Sequence, residues 1–276
     1  MIHHPFKIPI YGSISLSGFG IAMVLAFLIA QYASETEMER RGYNKAPFAD
    51  ITLAAVIGGL LGAKLYYVIL TGASPFSREG FVFFGGLMGG LIACGLVVWH
   101  YKLGYFRMGD LTAPGLAAAY AVGRTGCWAV GDDYGGPTNS FVGVAFPQGA
   151  PPSTPANLHS FGVSVPSNLP PNDAIPVHPT QIYEVILACL MFGILWRLRN
   201  HKHAAGWLFG VYFMLVGIER FTIEFFRAKD DRFLGPFTVA QAIAAAFFMS
   251  GLILVNVFRT PGPNRPGIFA DGSSPA

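Results

Sequence analysis

Seven long apolar runs constrain this chain more than any other feature of its sequence. A helix needs about 20 apolar residues to cross the hydrocarbon core of a bilayer. The chain is 53% hydrophobic and 12% charged, and an ordinary soluble domain carries about twice that charged share. The predicted spans are Ile14–Gln31, Ile51–Leu70, Phe81–His100, Leu111–Val130, Gln181–Leu198, Gly206–Glu224 and Val239–Phe258. We therefore expect an all-α, polytopic membrane protein of about seven transmembrane helices.

The charge and the cysteines exclude two functional classes. The net charge of +3 is spread along the chain, and there is no basic run of the kind that nucleic-acid binding needs. Cys94, Cys127 and Cys189 lie in or beside apolar runs without C-x-x-C spacing. This pattern argues against a disulfide framework or a zinc site.

Lysine and arginine predict the orientation of the spans, because these residues are enriched in cytoplasmic loops. With the N-terminus outside, ten of them fall in inside segments and five in outside segments. We therefore expect the N-terminus outside and the C-terminus inside.

The segment 131–180 separates the fourth and fifth predicted spans. It contains no lysine or arginine but ten of the chain's 20 prolines. We expect an irregular, proline-stiffened extracytoplasmic loop rather than a folded domain. Residues 1–258 then form a single transmembrane domain, and residues 259–276 a disordered cytoplasmic tail.

Ionisable residues inside the predicted spans are functional candidates, because each costs about 2.5–3.5 kcal/mol to insert into a membrane. These residues are Lys64, Arg124, Glu184, Glu219, Arg220 and Glu224. Three are basic and three are acidic, so they can pair with one another.

Arg220 and Glu224 lie four residues apart in ERFTIEFFR and share a helix face. Arg227 follows three residues after Glu224 and extends that face outward. Two interpretations stay open. The side chains form a salt-bridge ladder that joins helices, or the carboxylate holds Arg220 in a fixed pose to bind an anion. Guanidinium matches a phosphate group through two parallel hydrogen bonds.

Arg124 lies about two helical turns before the end of the fourth span. Gly123 and Gly126 beside it carry no side chains, so another helix or a lipid head group can approach closely. Asp132 and Asp133 follow at the water edge, where they are either solvated caps or part of a site.

Lys64, in GGLLGAKLYYVIL, either extends its amine to the membrane surface or adds positive charge to the same site. His178 opens HPTQIYE and is either a structural residue at a helix start or a base. Together the charged residues predict an intramembrane cavity, open to the outside, in which Arg124 and Arg220 converge on an anionic head group. The residues alone define no reaction.

At these same residues the chain resembles the bacterial prolipoprotein diacylglyceryl transferase family, between Ile14 and Phe258. The motifs follow the order of the family: GAKLYYVIL, REGFVFFGGLMGG, DLTAPGLAAAYAVGRTG, GRTGCWAVGDDYGGPT, HPTQIYE and ERFTIEFFR. Each motif alone is a weak signal, whereas six in order are specific.

The resemblance implies a multi-pass transferase of the bacterial cytoplasmic membrane. It would move diacylglyceryl from phosphatidylglycerol to the lipobox cysteine of a prolipoprotein, without a metal or cofactor. A thioether would form and glycerol 1-phosphate would leave. By position, Arg124 and Arg220 would hold the phosphate, and Glu224 would orient Arg220. Asp132 stands where the family has a glutamate. The further residues predicted to bind substrate are Lys64, Gly126, His178 and Arg227.

Some polar residues of the family are replaced in this chain. Phe84 occupies the position of a histidine and Cys127 that of an asparagine. If the histidine is the base for the thiol, its candidates here are His178, Asp132 and Glu224, or an ionised thiolate needs no base. Two alternatives therefore stay open: a divergent member that uses another thiol or lipid, and a lipid or anion carrier without chemistry.

Overall fold

The computed structural model describes residues 1–11, 14–74, 80, 82–166, 168–228, 232–234 and 237–261. Its helices are α1 Gly18–Arg40, α2 Ala46–Thr71, α3 Phe83–His100, α4 Tyr105–Val130, α5 Pro155–Ser160, α6 Thr180–Leu198, α7 Trp207–Ile223 and α8 Val239–Val257. A 3₁₀ turn at Glu224–Phe226 follows α7. The strands are β1 Lys7–Tyr11, β2 Ile14–Ser17, β3 Arg232–Leu234 and β4 Phe237–Thr238. Of the predicted tail, residues 262–276 lie outside the described residues.

Each predicted span overlaps one long helix, because an apolar segment in lipid satisfies its backbone polar groups by forming a helix. By length and composition, α1, α2, α6 and α8 are able to cross a membrane. Helix α4 carries Arg107, Asp110 and Arg124, which lower its hydropathy, and α7, which carries Glu219 and Arg220, has 17 residues. The prediction of a mostly helical, polytopic membrane protein is confirmed.

The predicted start of the first span is wrong. Ile14–Ser17 forms β2, which pairs antiparallel with β1, and α1 begins at Gly18. The hydroxyl of Ser17 accepts a hydrogen bond from the backbone N–H of Gly20 at 3.2 Å, which caps the first turn of the helix. A second hairpin, β3–β4, precedes α8. The all-α expectation therefore missed two small β-hairpins.

Helix α4 packs against α1, α3, α6 and α7, while α2 packs mainly on α3 and α7 on α8. Glycine permits the closest of these approaches. A Cβ atom built on Gly62 of α2 would lie 2.3 Å from the carbonyl oxygen of Gly85 of α3, so neither helix accepts a larger residue there. Helices α4, α6 and α7 contact one another pairwise, and this brings their intramembrane charges together.

Residues 131–180 are more compact than the sequence predicts. The segment has one short helix, α5, and isolated bridges such as Val144 with Val177. It contributes most of a hydrophobic core, which consists of Tyr134, Val144, Phe146, Leu158, Val165, Val177 and Ala228. The predicted loop therefore packs its apolar side chains into a hydrophobic core. The apolar side chains stand between prolines without a regular period, so their convergence is not visible in the sequence.

Candidate active site

Arg124 is the centre of a partly buried group of charges near the C-terminal end of α4. Its Nη1 atom donates a hydrogen bond to Oδ2 of Asp133 at 2.7 Å, and its Nε atom lies 2.9 Å from Oε2 of Glu184. Cys127, one turn further along the same helix face, lies with Sγ 3.7 Å from Nη1. The side chain of Arg124 is 15% exposed, so these partners replace most of its hydration.

Two acidic side chains from neighbouring helices meet at the hydroxyl group of Tyr120. This oxygen lies 3.4 Å from Oε1 of Glu184, on α6, and 3.2 Å from Oε1 of Glu219, on α7. The Nε atom of Arg124 donates to the same oxygen at 3.3 Å. Both glutamates are buried. The sequence marked them as ionisable residues inside spans but did not assign them to the site.

Asp133 joins Arg124 to Arg227. Its Oδ1 atom accepts a hydrogen bond from Nη2 of Arg227 at 2.9 Å, while Oδ2 accepts from Arg124. Its backbone is left-handed, with φ of 61°, a conformation that aspartate tolerates better than most residues. The group of charges consists of Arg124, Asp133, Glu184, Glu219 and Arg227, and is called the Arg124 cluster below.

The glycine-rich turn after α4 is held between the start of α6 and the end of α7. The backbone N–H of Gly135 donates to the carbonyl oxygen of His178 at 2.8 Å, and Oγ1 of Thr180 donates to the carbonyl oxygen of Asp133 at 2.7 Å. A Cβ atom on Gly135 would lie 2.2 Å from the carbonyl oxygen of Phe226. This close approach requires glycine, and it fixes the position from which Asp133 reaches both arginines.

The adjacent aspartates have different electrostatic surroundings. Burial opposes the ionisation of Asp133, yet the guanidinium groups of Arg227 and Arg124 hold the pKa of this carboxyl below its ordinary value. Burial, followed by the charge of Asp133, raises the pKa of Asp132. The Oδ1 atom of Asp132 accepts the backbone N–H of Asp133 at 2.7 Å. The carboxylate that contacts both arginines is Asp133, whereas the resemblance placed Asp132 at the position of the family's glutamate.

Arg220 and Glu224 form the predicted ion pair, with Nη2 and Oε2 2.8 Å apart. The side chain of Glu224 is 1% exposed and that of Arg220 is 29% exposed. The predicted extension of this ladder to Arg227 is wrong. Helix α7 ends at Ile223, and Arg227 has an extended backbone with φ of −71° and ψ of 147°, so its guanidinium meets Asp133 instead.

His178 contributes to the structure of the turn through its backbone. Its Nδ1 atom lies 3.1 Å from the hydroxyl oxygen of Tyr183, and its ring packs edge-on against Phe226. Burial lowers the pKa of His178, so the imidazole is neutral at neutral pH. Phe84, at the position of the family histidine, is 62% exposed on α3.

Gly126 and Lys64 were both predicted to bind substrate, and Gly126 lies at a contact between two helices. A Cβ atom on Gly126 would lie 2.7 Å from Cβ of Ala22 in α1, so this glycine admits a neighbouring helix. Lys64 lies on α2, with Nζ 5.3 Å from the ring centroid of Tyr67, and not on the three helices that carry the Arg124 cluster. Within the described part of the chain, no three His, Cys, Asp or Glu side chains are grouped as metal ligands.

The fold and the site define a polytopic membrane protein with a buried arginine–carboxylate centre. The sequence profile of the prolipoprotein diacylglyceryl transferase family matches residues 5–257. The chain therefore belongs to this family.

Three related proteins cover nearly the whole chain, and each is named phosphatidylglycerol–prolipoprotein diacylglyceryl transferase. The protein from Clostridium tetani is 28% identical over 264 residues, which cover 92% of this chain and 98% of that protein. The protein from Geobacter sulfurreducens is 27% identical and covers 88% of this chain and 91% of its own length. The protein from Xanthomonas campestris is 26% identical, with 94% and 93% covered.

Proposed function

We propose that this protein transfers the diacylglyceryl group of phosphatidylglycerol to the lipobox cysteine of prolipoproteins. A thioether forms and glycerol 1-phosphate is released. The family and the names of the related proteins support this reaction. Both substrates carry apolar segments, the acyl chains of the lipid and the signal peptide of the prolipoprotein. A bundle of apolar helices meets both of them inside the bilayer.

The observation that carries the proposal is the fixed guanidinium of Arg124. Among the described residues, its contacts use Nε and Nη1, so Nη2 still offers two N–H donors to a phosphate oxygen. Because Asp133 and Glu184 already hold the side chain, little conformational freedom is lost on binding. Arg220, held by Glu224 and partly exposed, supplies a second guanidinium.

In the proposed reaction, the thiol sulfur attacks the glycerol carbon that bears the phosphate. The bond from this carbon to the phosphate oxygen breaks, and its electrons remain on the phosphate, which becomes more negative. Arg124 and Arg220 stabilise this growing charge in a site that contains little water, and loss of one such donor costs about 10²–10³ in rate. Glu224 orients Arg220, and Asp133 orients Arg124.

The other residues around the turn support this arrangement. Arg227 holds Asp133 from the opposite side, Asp132 caps the backbone of Asp133, and His178 anchors Gly135. These contacts keep Asp133 in place, and Asp133 in turn orients Arg124. Gly126 lets α1 lie close enough to keep α4 in place.

The seven long helices are proposed to cross the cytoplasmic membrane of a bacterium as one transmembrane domain. The distribution of lysine and arginine supports an N-terminus outside and a C-terminus inside. Residues 131–180 then lie on the extracytoplasmic side, together with the Arg124 cluster at the C-terminal end of α4. This is the side on which an exported prolipoprotein presents its lipobox.

A mass measurement tests the reaction. The purified protein is incubated in lipid nanodiscs with phosphatidylglycerol and a lipobox peptide, and a peptide with the cysteine replaced by serine serves as the control. We expect a diacylglyceryl adduct on the cysteine peptide alone, together with free glycerol 1-phosphate.

The absence of an adduct, from protein shown to be folded and to bind the lipid, would contradict the proposal. An adduct with another thiol or another donor lipid would identify a divergent transferase. Phosphatidylglycerol binding without turnover on any thiol would identify a carrier.

A further inference from the structure

The hydroxyl group of Tyr120 has more partners than one neutral hydroxyl and two carboxylates satisfy. A phenol carries one proton, so it donates to one acceptor only. Its oxygen lies within 3.4 Å of a carboxyl oxygen of both Glu184 and Glu219, and it accepts a hydrogen bond from Arg124. If both glutamates were ionised, one of them would face the phenol oxygen without a proton between them.

The charge balance of the site leads to the same conclusion. The Arg124 cluster contains two guanidinium groups and three carboxyl groups, and Glu184 and Glu219 are 0% and 4% exposed. Three ionised carboxylates would leave an excess negative charge at the two buried glutamates, which is unfavourable. One bound proton makes the cluster neutral. The nearby pair of Arg220 and Glu224 is already balanced.

The contacts indicate which carboxyl group holds the proton. Oε2 of Glu184 lies 2.9 Å from Nε of Arg124, a contact that favours the ionised form. Oε1 of Glu219, which among the described residues forms no hydrogen bond or ion pair with Arg124, lies 3.2 Å from the hydroxyl oxygen of Tyr120. The hydrogen bonds then run in one direction: protonated Glu219 donates to Tyr120, and Tyr120 donates to ionised Glu184.

We propose that Glu219, Tyr120 and Glu184 share one proton beside Arg124, and that ionised Glu184 accepts the thiol proton during diacylglyceryl transfer. The second part rests on the proposed function. It supplies a proton acceptor in a chain whose Phe84 stands where the family has a histidine. Other titratable or charged groups around the glutamate pair are Tyr120, Arg124, Asp132, Asp133, Tyr212, Arg220, Glu224 and Arg227.

The transfer step balances with this acceptor. The S–H bond breaks, and the proton passes to Glu184. The sulfur forms a bond to the glycerol carbon as the carbon–oxygen bond breaks, and the electron pair of that bond stays on the phosphate. When the phosphate occupies Arg124, Glu184 shares its cationic partner and becomes a stronger base at the moment the thiol needs one. The proton leaves with glycerol 1-phosphate.

Infrared spectroscopy tests the shared proton without any turnover. A protonated carboxyl group has a carbonyl stretching band that shifts when the sample is moved from H₂O to D₂O. We expect one such band at neutral pH that disappears in Glu219→Gln. The matched control is Glu224→Gln, which removes a buried carboxylate paired with Arg220 and leaves the band in place. Absence of the band in the wild type, or its persistence in Glu219→Gln, would overturn the proposal.

Tyr120→Phe provides a second spectroscopic measurement. Glu219 remains protonated in this variant but loses the hydroxyl group that accepts its hydrogen bond. We expect the band to persist and to move to higher wavenumber, because a carboxyl group with a weaker hydrogen bond has a stiffer carbonyl. An unchanged wavenumber would contradict a proton shared through Tyr120.

Transfer kinetics separate the two glutamates. Glu184→Gln removes the proposed proton acceptor and should lose about 10²-fold or more in kcat at pH 7. Glu219→Gln keeps a neutral side chain that donates a hydrogen bond to Tyr120, so its loss in kcat should be smaller than that of Glu184→Gln. The loss in Glu184→Gln should shrink as pH rises toward about 8.5, where a cysteine thiol ionises without a base.

The kinetic results also have a clear contrary outcome. Equal losses in Glu184→Gln and Glu219→Gln that do not change with pH would indicate a structural role and overturn the acceptor. If the wild type itself transfers no lipid, the proposed function fails, while the infrared band still decides whether the proton is shared.

Discussion

The two ends of α4 carry buried charges of the same residue types with different partners. Near the N-terminal end, Asp110 accepts hydrogen bonds from the backbone N–H groups of Gly206 and Phe209 at 2.8 and 2.7 Å. Arg41, held by Glu37 at 2.7 Å, donates to the carbonyl oxygen of Arg199 at 2.8 Å. Glu37, Arg41 and Asp110 are called the Asp110 cluster. In the Arg124 cluster, at the other end, the charges pair mainly with other side chains.

This difference in partners separates a structural role from a chemical one. Backbone groups at a helix end need a partner in every state of the protein, so the Asp110 cluster is committed to holding α1, α6 and α7 together. A side-chain pair such as Arg124 with Glu184 can exchange partners when a phosphate binds, because a guanidinium also pairs with phosphate oxygens. The comparison predicts that the Asp110 cluster controls stability and the Arg124 cluster controls turnover.

The largest expected effect is that of Arg124→Ala on transfer. This change removes the guanidinium that stabilises the phosphate charge, so the transfer rate should fall by about 10²–10³-fold or more. The measurement is adduct formation per folded molecule, with membrane insertion checked by the yield of monodisperse protein. Turnover at the wild-type level in this variant would contradict the claim that the Arg124 cluster controls turnover.

Glu224→Gln should have a smaller effect than Arg220→Ala. The arginine remains, but the carboxylate that holds it at 2.8 Å is replaced by a neutral amide. Misplacement of a catalytic group by about 1 Å lowers the rate by up to about 10²-fold. We therefore expect the transfer rate of Glu224→Gln to fall, but by less than about 10²-fold. Steady-state kinetics on both variants check the order, and a greater loss in Glu224→Gln than in Arg220→Ala would contradict the positioning role of Glu224.

Asp110→Asn should affect stability and leave turnover nearly unchanged. An asparagine side chain has one acceptor oxygen, so one of the two backbone N–H groups at the start of α7 loses its partner. The free energy of unfolding should fall by about 1–3 kcal/mol. Thermal unfolding in detergent measures this loss, and the transfer rate per folded molecule is the control. A large drop in the transfer rate with unchanged stability would contradict the structural role of the Asp110 cluster.

The smallest effect concerns the pH dependence of the turn that Asp133 anchors. The pKa of Asp133 is depressed from its ordinary value of 3.8, so ionised Asp133 stabilises the folded turn above that pH. The contribution is lost as pH falls through the depressed pKa. The amide of Gly135 should therefore be better protected from hydrogen exchange in the wild type than in Asp133→Asn. We expect this difference in protection to be the same at pH 7 and at pH 5. A loss of that protection already near pH 6 would contradict the two arginine contacts.

The helices could be predicted from the sequence because the signal is local. Runs such as Ile51–Leu70 and Val239–Phe258 are long and apolar enough to specify helices on their own. The start of α1 could not be predicted, since Ile14–Ser17 is apolar enough to continue a span. Its antiparallel pairing with Lys7–Tyr11 is a contact between two segments, and composition does not encode such a contact.

The sequence predicted the charged residues of the site and the pair of Arg220 with Glu224, but not the pairings within the Arg124 cluster. Arg124, Glu184 and Glu219 were visible as charges inside apolar runs. Their convergence depends on how α4, α6 and α7 pack, and the sequence contains no signal for that packing. Asp133 was missed as the arginine partner because only the left-handed backbone after α4 decides which of two adjacent carboxylates turns inward.

A comparison of diacylglyceryl transfer by the variants Arg124→Lys and Arg41→Lys tests most directly the claim that the Arg124 cluster controls turnover and the Asp110 cluster controls stability. Both variants keep the positive charge and lose the fork of N–H donors, one at each end of α4. The measurement is the amount of diacylglyceryl peptide formed per folded molecule. We predict that Arg124→Lys loses about 10²-fold or more, while Arg41→Lys keeps wild-type turnover and loses stability. Near-normal transfer by Arg124→Lys would reduce Arg124 to a generic positive charge and contradict the account.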